Sequence, residues 1–564
     1  MATRTVSGSA GLEIDSRSGY CNSNGIYYSK RKKVTFPQDE YLDLPTFISS
    51  QPHTNHIALV DSATGNKISY SELWHSVRSL AAGLSQIGVK KGDTIFILSP
   101  NSVHFPIICM AIMSIGAIVT TTNPLNTAKE IAKQAADSNA MLAFVTPELT
   151  RKMDDSNLPL VLISAHHFLS LSDIHQVKNP KNVSIRFLSE LMASDTNQMP
   201  AVKVHQDDTA TLLYSSGTTG PSKGVISTHR NLIAMVCMAL TRFHSVRKDT
   251  FLCTVPMFHI YGLARIACGF LALGSTIVVL SKFGLGEMLG AIDKYKVTFL
   301  PLVPAILVAL TKSEILNKYD LGSLRTVQCG GAALSKEIIE EFISSFPKIV
   351  LLQSYGMTET AGTGVSADTL EESRHYGSTG MVSPNIEAKI VDPDSGISLP
   401  INQRGELWLR GPTVMKGYFS NPEATSAAVD KNGWLRTGDL CYIDSEGYVF
   451  VVDRLKELIK YKGYQVAPVE LEALLVSHPE IADAAVIPFP DKEAGQVPMA
   501  YVVRKQGSTL SEFSVIDFVA KQVAPYKRVR RVAFVSGIPR STAGKLLRKD
   551  LIKLSTSRFK TSKI

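Results

Sequence analysis

The chain has 564 residues, which at roughly 150 residues per domain suggests two to four domains. Hydrophobic residues make up 45% of it and charged residues 19%, a balance that allows a buried core and excludes wholesale disorder. The 59 Lys and Arg residues outnumber the 50 Asp and Glu residues, and the resulting net charge of +9 is too modest for this length to indicate nucleic acid by itself.

The first 35 residues are rich in Ser and Gly and lack the apolar segment of a signal peptide. The sequence therefore predicts a flexible N-terminal arm over residues 1–35. The longest uncharged stretch runs from Phe105 to Ala128 and is interrupted by Pro106 and Asn126. These breaks favour a buried helix followed by a strand over a membrane span, which needs about 20 apolar residues.

Amphipathic helices alternate with short runs rich in Val and Ile. Residues 69–88 predict a helix that begins at Ser71 and ends at Gly88. A strand over 93–98, a helix over 104–115 and a strand over 116–120 follow, and the later runs are LAFVT (142–146), TIVVL (276–280), VTFLPLVP (297–304), TVQCGGA (326–332) and VLLQSYG (350–356). Strands separated by helices predict an α/β fold of parallel sheets covered by helices on both faces.

The pattern changes at about residue 385. Short strands punctuated by Gly at 388–392, 405–410, 433–442 and 447–452 predict a small barrel or antiparallel sheet. A compact α+β pattern follows from Arg454 to the end.

Seven cysteines are scattered along the chain without any CxxC pair. Their odd number and wide spacing argue against a disulfide framework and against a structural zinc site. We expect buried free thiols in a reducing compartment.

The densest chemical signal is the segment Tyr214–Gly224, YSSGTTGPSKG, which follows an apolar run. Its three glycines permit close backbone approach, its hydroxyls donate hydrogen bonds and Lys223 adds a positive charge, a combination that suits a polyphosphate. The spacing is not that of a Walker A loop. One alternative is a hydrolase nucleophile elbow at Ser222, because GPSKG matches G-x-S-x-G; another is a plain Ser/Gly-rich surface loop.

Seven motifs in order resemble the adenylate-forming superfamily of acyl-CoA synthetases, 4-coumarate–CoA ligases and firefly luciferase. They are SSGTTGPSKG (215–224), PMFHIYG (256–262), QSYGMTET (353–360), GELWLRGP (405–412), GWLRTGDL (433–440), VVDRLKELIKYKGYQVAPVELE (451–472) and PRSTAGKLLRKDL (539–551). The resemblance extends from about residue 40 to the C-terminus and is greatest to plant 4-coumarate–CoA ligases and their peroxisomal relatives.

The resemblance implies an ATP-dependent acid–CoA ligase with two half-reactions. A carboxylate attacks the α-phosphate of ATP to give an acyl-adenylate and pyrophosphate, and the thiol of coenzyme A then displaces AMP. The implied cofactors are ATP, Mg²⁺ and coenzyme A, since two anions that meet need cations to neutralise their charge. The resemblance also implies a large adenylation domain over 36–453 and a small mobile lid domain over 454–564.

The resemblance assigns roles motif by motif. Nucleotide binding falls to Ser215, Ser216, Gly217, Thr218, Thr219, Lys223, Gln353, Tyr355, Thr358, Asp439, Arg454, Lys456, Gln465 and Lys545. Catalysis falls to Lys545, Lys460, His259, Thr358 and Glu359, with Glu359 as the Mg²⁺ ligand, and coenzyme A contacts fall to Lys282, Lys462 and Gly463. Lys456 is placed at the hinge between the domains. Taken singly, these lysines would be solvated charges.

The acyl pocket implied by the resemblance comprises His259, Tyr261, Arg265, Gly330, Gly331, Gly362, Thr363 and Gly364. Ligases of this type usually carry Pro-Val-Leu at 362–364, so the smaller residues here predict room for a longer or wider acid than coumarate. The expected substrate is a hydroxycinnamate-like acid or a bulkier fatty or oxylipin acid. Arg265 either meets a polar group of this substrate or pairs with an acid of the protein, and Tyr261 could simply be a core residue.

Two other readings of the function stay open. A luciferase-like oxygenase also adenylates its substrate but then uses oxygen, and a serine hydrolase would use Ser222. Neither nucleic acid nor a membrane span is expected.

The chain ends in Ser562, Lys563 and Ile564, which differ from the peroxisomal address Ser-Lys-Leu by one conservative change. The sequence favours a peroxisomal location with the import receptor as a partner; the alternative is a frayed basic tail on a cytoplasmic protein.

The excess of positive charge is confined to the C-terminal part of the chain. Residues 454–564 contain 20 Lys and Arg and 10 Asp and Glu, a net of +10, against +9 for the whole chain. A basic lid would attract ATP and coenzyme A, which are both strongly anionic.

Overall fold

The computed structural model describes residues 12–163, 184–215, 222–242, 249–332, 334, 336–455, 457–461, 464–491, 494–523, 525–541, 544 and 546–560. Two large, mainly parallel sheets, a six-stranded antiparallel sheet and a small C-terminal sheet organise them. This architecture confirms the predicted α/β fold with a smaller C-terminal domain.

The first large sheet has eight strands. In spatial order they are Gly417–Tyr418, Lys223–Thr228, Thr209–Ser215, Ile118–Thr121, Thr94–Leu98, Ala140–Val145, Leu160–Leu162 and Ile185–Phe187. The six strands from Thr209–Ser215 onward pair in parallel, and the two at the other edge are antiparallel. The predicted phosphate loop connects two of these strands, since Ser215 pairs with Lys223.

The second large sheet has nine strands. In spatial order they are Met381–Val382, Val365–Ser366, Val350–Tyr355, Thr326–Gly330, Phe299–Leu302, Thr250–Cys253, Thr276–Val279, Ile57–Asp61 and Lys67–Ser69. Its central strands are parallel and almost wholly buried, as expected for a sheet covered on both faces.

The third sheet is antiparallel and consists of Tyr20–Cys21, Ile26–Tyr28, Glu387–Val391, Gly405–Arg410, Leu435–Ile443 and Val449–Arg454. The four later strands lie where the Gly punctuation predicts them. The first two correct the expectation of a flexible arm over 1–35, because Ile26–Tyr28 pairs with Glu387–Val391 and buries Tyr27. Within residues 12–35 the chain is therefore an edge of this sheet.

The C-terminal domain has its own sheet and its own apolar core. Its strands are Ile459–Tyr461, Tyr464–Val466, Ile481–Asp491, Gly495–Arg504 and Arg531–Phe534. Its helices are Pro468–Val476, Glu512–Ala520 and Arg548–Lys560, with a 3₁₀ turn at Pro525–Lys527.

Helices cover the two large sheets. They are Leu44–Ser49, Tyr70–Gln86, His104–Ser114, Ala128–Asp137, Leu188–Met192, His229–Arg242, Leu285–Tyr295, Pro304–Thr311, Lys336–Ser345, Leu370–Ser373 and Pro422–Ala428, with a π-helix at Tyr261–Phe270. Short 3₁₀ turns lie at Pro147–Met153, Thr196–Gln198, Leu316–Lys318 and Thr358–Thr360.

Helix His104–Ser114 is buried at every residue from Phe105 to Ser114, so it is an internal helix of the large domain. It confirms the reading of the long uncharged stretch as a helix and a strand. Among the described residues, no helix has the length and apolar character that a membrane crossing requires. All seven cysteines are buried free thiols, as predicted.

Helix Tyr70–Gln86 begins one residue earlier than the predicted start at Ser71. Ser69, not Ser71, is its N-cap: the Ser69 hydroxyl accepts from the Glu72 amide, and the Glu72 carboxylate accepts from the Ser69 amide. This reciprocal capping box satisfies two amides that a helix start leaves unpaired.

Candidate active site

A cavity of about 770 Å³ lies between the large domain and the C-terminal domain. Tyr355, Asp439 and Gly331 line its large-domain side, and Arg454 lines it at the domain boundary. Gly544 and Leu546 line it from the C-terminal domain. The structure thus brings together residues from four of the ordered sequence motifs.

Asp439 is the central carboxylate of this cavity and is buried. The Tyr355 hydroxyl donates to Asp439 Oδ2 at 2.6 Å, and Arg454 Nε lies 3.2 Å from Oδ1. Asp439 and Arg454 meet because they face each other across two antiparallel strands, next to a register shift at Leu440. A carboxylate braced in this way still has lone pairs that can accept from two neighbouring hydroxyls of a ligand.

The electrostatics of this cluster follow from burial and charge. Burial and then the adjacent Asp439 carboxylate raise the pKa of Tyr355 well above its usual value, so the phenol stays a donor. Burial opposes the charged form of Arg454, but Asp439 and other nearby anions outweigh it and leave the pKa of Arg454 above its usual value. The site therefore holds a fixed anion between a neutral donor and a cation.

Glu359 forms the second carboxylate site. It is buried in the short turn Thr358–Thr360, beside the equally buried Thr358. The Tyr418 hydroxyl donates to Glu359 Oε1 at 3.0 Å, and Lys223 Nζ lies 5.1 Å from the centroid of the Tyr418 ring. Tyr418 reaches this place because its strand pairs with the strand that begins at Lys223.

Tyr418 is a residue that the sequence analysis missed. It follows the GELWLRGP motif in the run VMKGY, and the run carries no charge pattern that marks it as part of a site. The pairing of Val225 with Tyr418 places it here, and this pairing depends on the folded sheet.

Glu359 suits a magnesium ion that is shared with phosphate oxygens. Mg²⁺ usually keeps several waters and takes only one or two protein carboxylates beside its phosphate ligands. Glu359 supplies one, and the Tyr418 hydroxyl donates to one oxygen of that carboxylate. Among the described residues, no group of three or more His, Cys, Asp or Glu side chains forms a site of its own.

The phosphate loop is described only at its two ends. Ser215 ends one strand and Lys223 begins the next, whereas Ser216, Gly217, Thr218 and Thr219 lie outside the described residues. Ser222 leads directly into the strand Lys223–Thr228. A nucleophile elbow requires a strand before the serine and a helix after it, so this arrangement excludes the hydrolase reading.

The acyl side of the site surrounds the start of the π-helix Tyr261–Phe270. His259 and Tyr261 are half-buried there, and the Tyr261 hydroxyl points to the Gln328 carbonyl oxygen at 3.4 Å. The Tyr261 ring also lies over Gly330, where an added Cβ would be 3.7 Å from it. Gly262 has no room for a side chain because its backbone packs on Pro256 and Met257. His259, Tyr261 and Gly330, three of the predicted acyl-pocket residues, are thus neighbours in the structure.

Arg265 is buried on the same π-helix, with an exposed fraction of 8%. Burial lowers its pKa, while Tyr261 and Asp368 act in the opposite direction. Asp368 also forms ion pairs with Arg31, at 2.9 Å, and with Arg242. This cluster favours the alternative in which an acid of the protein compensates Arg265.

The small residues at 362–364 open less space than the sequence suggests. A Cβ on Gly364 would lie 3.1 Å from Leu409 Cδ1, so the side chain of Leu409 already fills the space at that position. Gly362 has a φ of +76°, and a Cβ there would make ordinary contact with Ile260 at 3.6 Å. Thr363 between them is half-buried. The expectation of added room is therefore corrected at Gly364.

Some of the remaining residues predicted to bind the nucleotide or coenzyme A lie within the described part of the chain, and others lie outside it. The Gln353 amide donates to the Ser378 carbonyl at 2.7 Å, and Lys282 is exposed. Lys460 and Gln465 are paired across a hairpin by their backbones. Lys456, Lys462, Gly463 and Lys545 lie outside the described residues. Gly544, with a φ of +75°, approaches Val303 of the large domain, where an added Cβ would lie 3.1 Å from Cγ2.

Comparison with known proteins gives one consistent family. A family model described as AMP-binding enzyme matches residues 48–419, and one described as AMP-binding enzyme C-terminal domain matches residues 470–545. A protein of Humulus lupulus named probable CoA ligase CCL5 is 60% identical over 97% of this chain and 98% of its own. An Arabidopsis thaliana protein named peroxisomal OPC-8:0-CoA ligase 1 is 58% identical over 97% of this chain and 99% of its own.

Solved structures agree with these relatives. ATP-bound MatB from Rhodopseudomonas palustris is 26% identical, with a TM-score of 0.81 over 92% of this chain and 100% of that one. The o-succinylbenzoate CoA synthetase MenE from Bacillus subtilis, in complex with its acyl-adenylate intermediate, is 28% identical, with a TM-score of 0.75 over 90% of this chain and 98% of that one. The chain therefore belongs to the AMP-binding enzymes, in the acid–CoA ligase branch of that family.

Proposed function

We propose that the protein uses ATP, Mg²⁺ and coenzyme A to convert a carboxylic acid into its acyl-CoA thioester. The observation that carries the proposal is Asp439, a buried carboxylate braced by Tyr355 and Arg454 in the cavity between the two domains. Such a group can accept both hydroxyls of a ribose. The residues on either side of Lys545 line the same cavity.

In the first half-reaction, a carboxylate oxygen of the acid bonds to the α-phosphorus of ATP. The bond from this phosphorus to its bridging oxygen breaks, and pyrophosphate leaves. The phosphate loop, including Lys223 and the undescribed residues 216–219, would hold the triphosphate, and Thr358 and Lys545 would contact the α-phosphate. Bound at Glu359, Mg²⁺ would neutralise charge on the phosphate oxygens.

In the second half-reaction, the sulfur of coenzyme A bonds to the acyl carbon. The bond from that carbon to the AMP oxygen breaks, AMP leaves, and the thiol proton passes to solvent. We assign this step to a second lid orientation reached by rotation at Lys456, with Lys460 and Gln465 at the adenylate. Lys462, Gly463 and Lys282 would contact coenzyme A, and His259 would line the entry of the thiol.

The test is AMP release from ATP in the presence of acid, with and without coenzyme A. The proposal expects pyrophosphate release with the acid alone and AMP release that depends on coenzyme A. Adenylation followed by oxygen consumption and no thioester would favour a luciferase-like oxygenase instead. For a variant of the cavity carboxylate, Asp439→Asn, the matched control is Asp394→Asn, since Asp394 lies exposed in a surface turn.

For the substrate, we propose a hydroxycinnamate-like acid or a bulkier fatty or oxylipin acid. The support is the name of the Arabidopsis relative, which describes it as an OPC-8:0-CoA ligase. The test is a pyrophosphate-release screen over hydroxycinnamates, benzoates, fatty acids of varied length and cyclopentenone oxylipins. Turnover of benzoates alone would contradict this substrate range.

We further propose that the protein is peroxisomal and that Ser562–Ile564 is bound by the import receptor. The support is the word peroxisomal in the name of the same relative. The tripeptide lies outside the described residues. The test is the location in plant cells of an N-terminal fluorescent fusion, with and without residues 562–564; punctate fluorescence that survives the deletion would contradict the role of the tripeptide.

A further inference from the structure

Lys545 belongs to a segment, here called the Lys545 loop, whose described residues before and after it are joined by hydrogen bonds; Lys545 itself lies outside the described residues. Arg540 and Leu546 form a β-bridge, the Leu547 amide donates to the Pro539 carbonyl at 2.9 Å, and the Gly544 amide donates to the Ser541 carbonyl at 2.8 Å. Helix Arg548–Lys560 begins immediately after this loop. The position of the loop therefore depends on what holds its two ends.

Arg548 holds the C-terminal end from inside the domain. Its side chain is 9% exposed, with Nη2 at 2.9 Å from Glu472 Oε2 and Nη1 at 3.2 Å from Glu457 Oε2. Glu472 lies on helix Pro468–Val476, and Glu457 directly follows Lys456. One guanidinium thus joins three parts of the domain: the Lys545 loop, the segment after the proposed hinge, and a helix.

Both partners of Arg548 are themselves held. The second oxygen of Glu472 accepts from the Val486 amide at 2.7 Å, which fixes this carboxylate against the sheet. The turn at Arg454 holds Glu457, because the amides of Glu457 and Leu458 both donate to the Arg454 carbonyl. Arg548 therefore binds two carboxylates whose positions are fixed. Because the guanidinium is planar and its N–H groups point in set directions, these bonds fix the orientation of the Arg548 side chain as well as its distance from its partners.

The N-terminal end of the loop is held more weakly. Arg540 Nη2 lies 2.9 Å from Asp483 Oδ1, but each of these side chains is 34% exposed. Half-exposed pairs contribute little to positioning because water and salt screen them, whereas loss of a buried partner leaves uncompensated charge. The two arginines differ in burial, and Arg548 is the one in a position to control the loop.

We propose that Arg548 is a positioning residue for the adenylation half-reaction, because it fixes the Lys545 loop relative to the hinge segment. This inference rests on the proposed function, in which Lys545 acts at the α-phosphate during adenylation and leaves the site before thioester formation. The loss of Arg548 should therefore impair the first half-reaction far more than the second. Arg548 also lines the cavity between the domains, but the positioning role requires no contact between its side chain and the substrate.

The experiment compares the two half-reactions in the full-length variant Arg548→Met. Pyrophosphate release with ATP and 4-coumarate or dodecanoate, whichever wild type adenylates faster, measures adenylation. Thioester formation from the chemically prepared adenylate of the same acid, with coenzyme A, measures the second step. We expect kcat for adenylation to fall about 10- to 100-fold, the usual effect of a displaced catalytic group, and the second step to change less than about threefold.

Two further variants separate positioning from folding. Arg548→Met combined with Glu472→Gln removes one buried positive and one buried negative charge; we expect it to recover most of the lost Tm but not the lost adenylation rate. Arg548→Lys keeps the charge without the planar fork, and we expect it to recover Tm and only part of the rate. Lys521→Met is the control, since Lys521 forms an exposed pair with Asp517 one turn away.

The outcomes are distinguishable. Equal loss of both half-reactions in Arg548→Met, or full recovery of adenylation in the double variant, would overturn the role of Arg548 while leaving the proposed function intact. A wild-type protein that adenylates no acid would overturn the proposed function and this role together. The positioning role of Arg548 is supported if the variants lose adenylation selectively and if this loss does not follow their changes in Tm.

Discussion

The Tyr418 hydroxyl donates a 3.0 Å hydrogen bond to Oε1 of Glu359, and the ring that carries it faces the Lys223 ammonium at 5.1 Å. Burial and then the Glu359 charge raise the pKa of Tyr418, so the phenol remains a donor at any physiological pH. Tyr418 thus connects the proposed metal ligand to the end of the phosphate loop. Removing the hydroxyl should affect metal use while leaving the ring and its cation contact in place.

The variant Tyr418→Phe should therefore need more Mg²⁺. A hydrogen bond to a charged group contributes about 1.5–3 kcal/mol, so we expect the Mg²⁺ concentration for half-maximal adenylation to rise about tenfold or more. Titration calorimetry of ATP with and without Mg²⁺ gives the independent measurement: the variant should lose the Mg²⁺-dependent part of its ATP affinity. Tyr442→Phe is the matched control, because Tyr442 stacks on Phe450 in the antiparallel sheet. Unchanged Mg²⁺ dependence in Tyr418→Phe would show that Glu359 keeps its position alone.

Asp439→Asn should weaken nucleotide binding more than it weakens folding. The amide of Asn offers one acceptor oxygen where the carboxylate offers two, and its NH₂ group would face Arg454 Nε or the Tyr355 hydroxyl. We expect the Kd for AMP to rise at least about tenfold, in line with loss of a charge-assisted hydrogen bond. Calorimetric titration with AMP alone measures it. An AMP affinity equal to that of wild type would remove Asp439 from the nucleotide site.

Local signals explain which parts of the fold could be predicted. The strands at 94–98 and 405–410 and the helix at 104–114 carry their pattern within a few residues, as apolar runs bounded by Gly, Pro or polar residues. The start of helix Tyr70–Gln86 is less well defined by the sequence, because Ser69 and Ser71 are both residue types that cap helices; only Ser69 has Glu three positions later, and Ser69 is the cap in the structure.

Contacts between distant segments explain what could not be predicted. Tyr418 meets Glu359, Arg548 meets Glu472 and Leu409 fills the space beside Gly364 only because separate elements pack together. A sequence motif is a set of residue types at fixed spacing, and two motifs identify Asp439 and Tyr355 as site residues. A motif does not show which residue of another strand or helix will contact them in the folded protein. The same reason explains the N-terminal segment, whose polar composition hides the pairing of Ile26–Tyr28 with Glu387–Val391.

Arg31 should be essential for stability although it lies near the N-terminus. Its guanidinium pairs with Asp368 at 2.9 Å and with Glu372 at 2.8 Å, and all three side chains are largely buried. Arg31→Ala leaves two buried carboxylates with fewer partners, and breaking a buried pair in this way costs about 3–5 kcal/mol. We expect a clear fall in the free energy of unfolding, measured by denaturant titration. Arg17→Ala is the control, because Arg17 pairs with Glu446 in solvent and should leave stability unchanged.

Glu472 should make the stability of the protein depend on pH. Burial raises the pKa of its carboxyl from 4.5 to about 7, and the attraction of Arg548 opposes this shift only in part. Since the folded-state pKa is above the unfolded-state value, the protonated carboxyl contributes stability in full below about pH 4.5, and this contribution is lost as the pH rises through about 7. In Glu472→Gln, the amide cannot ionise and still accepts from the Val486 amide.

The Tm difference between Glu472→Gln and wild type should therefore be small at pH 5 and should shift in favour of the variant by pH 8. Adenylation by the variant should nevertheless fall, because Arg548 loses the charge of one of its two fixed partners. Thermal unfolding of both proteins between pH 5 and pH 8 measures the first effect, with Glu512→Gln on the surface of the same domain as the control. A Tm difference that stays constant over this range would mean that Glu472 is ionised throughout, and that Arg548 compensates its burial in full.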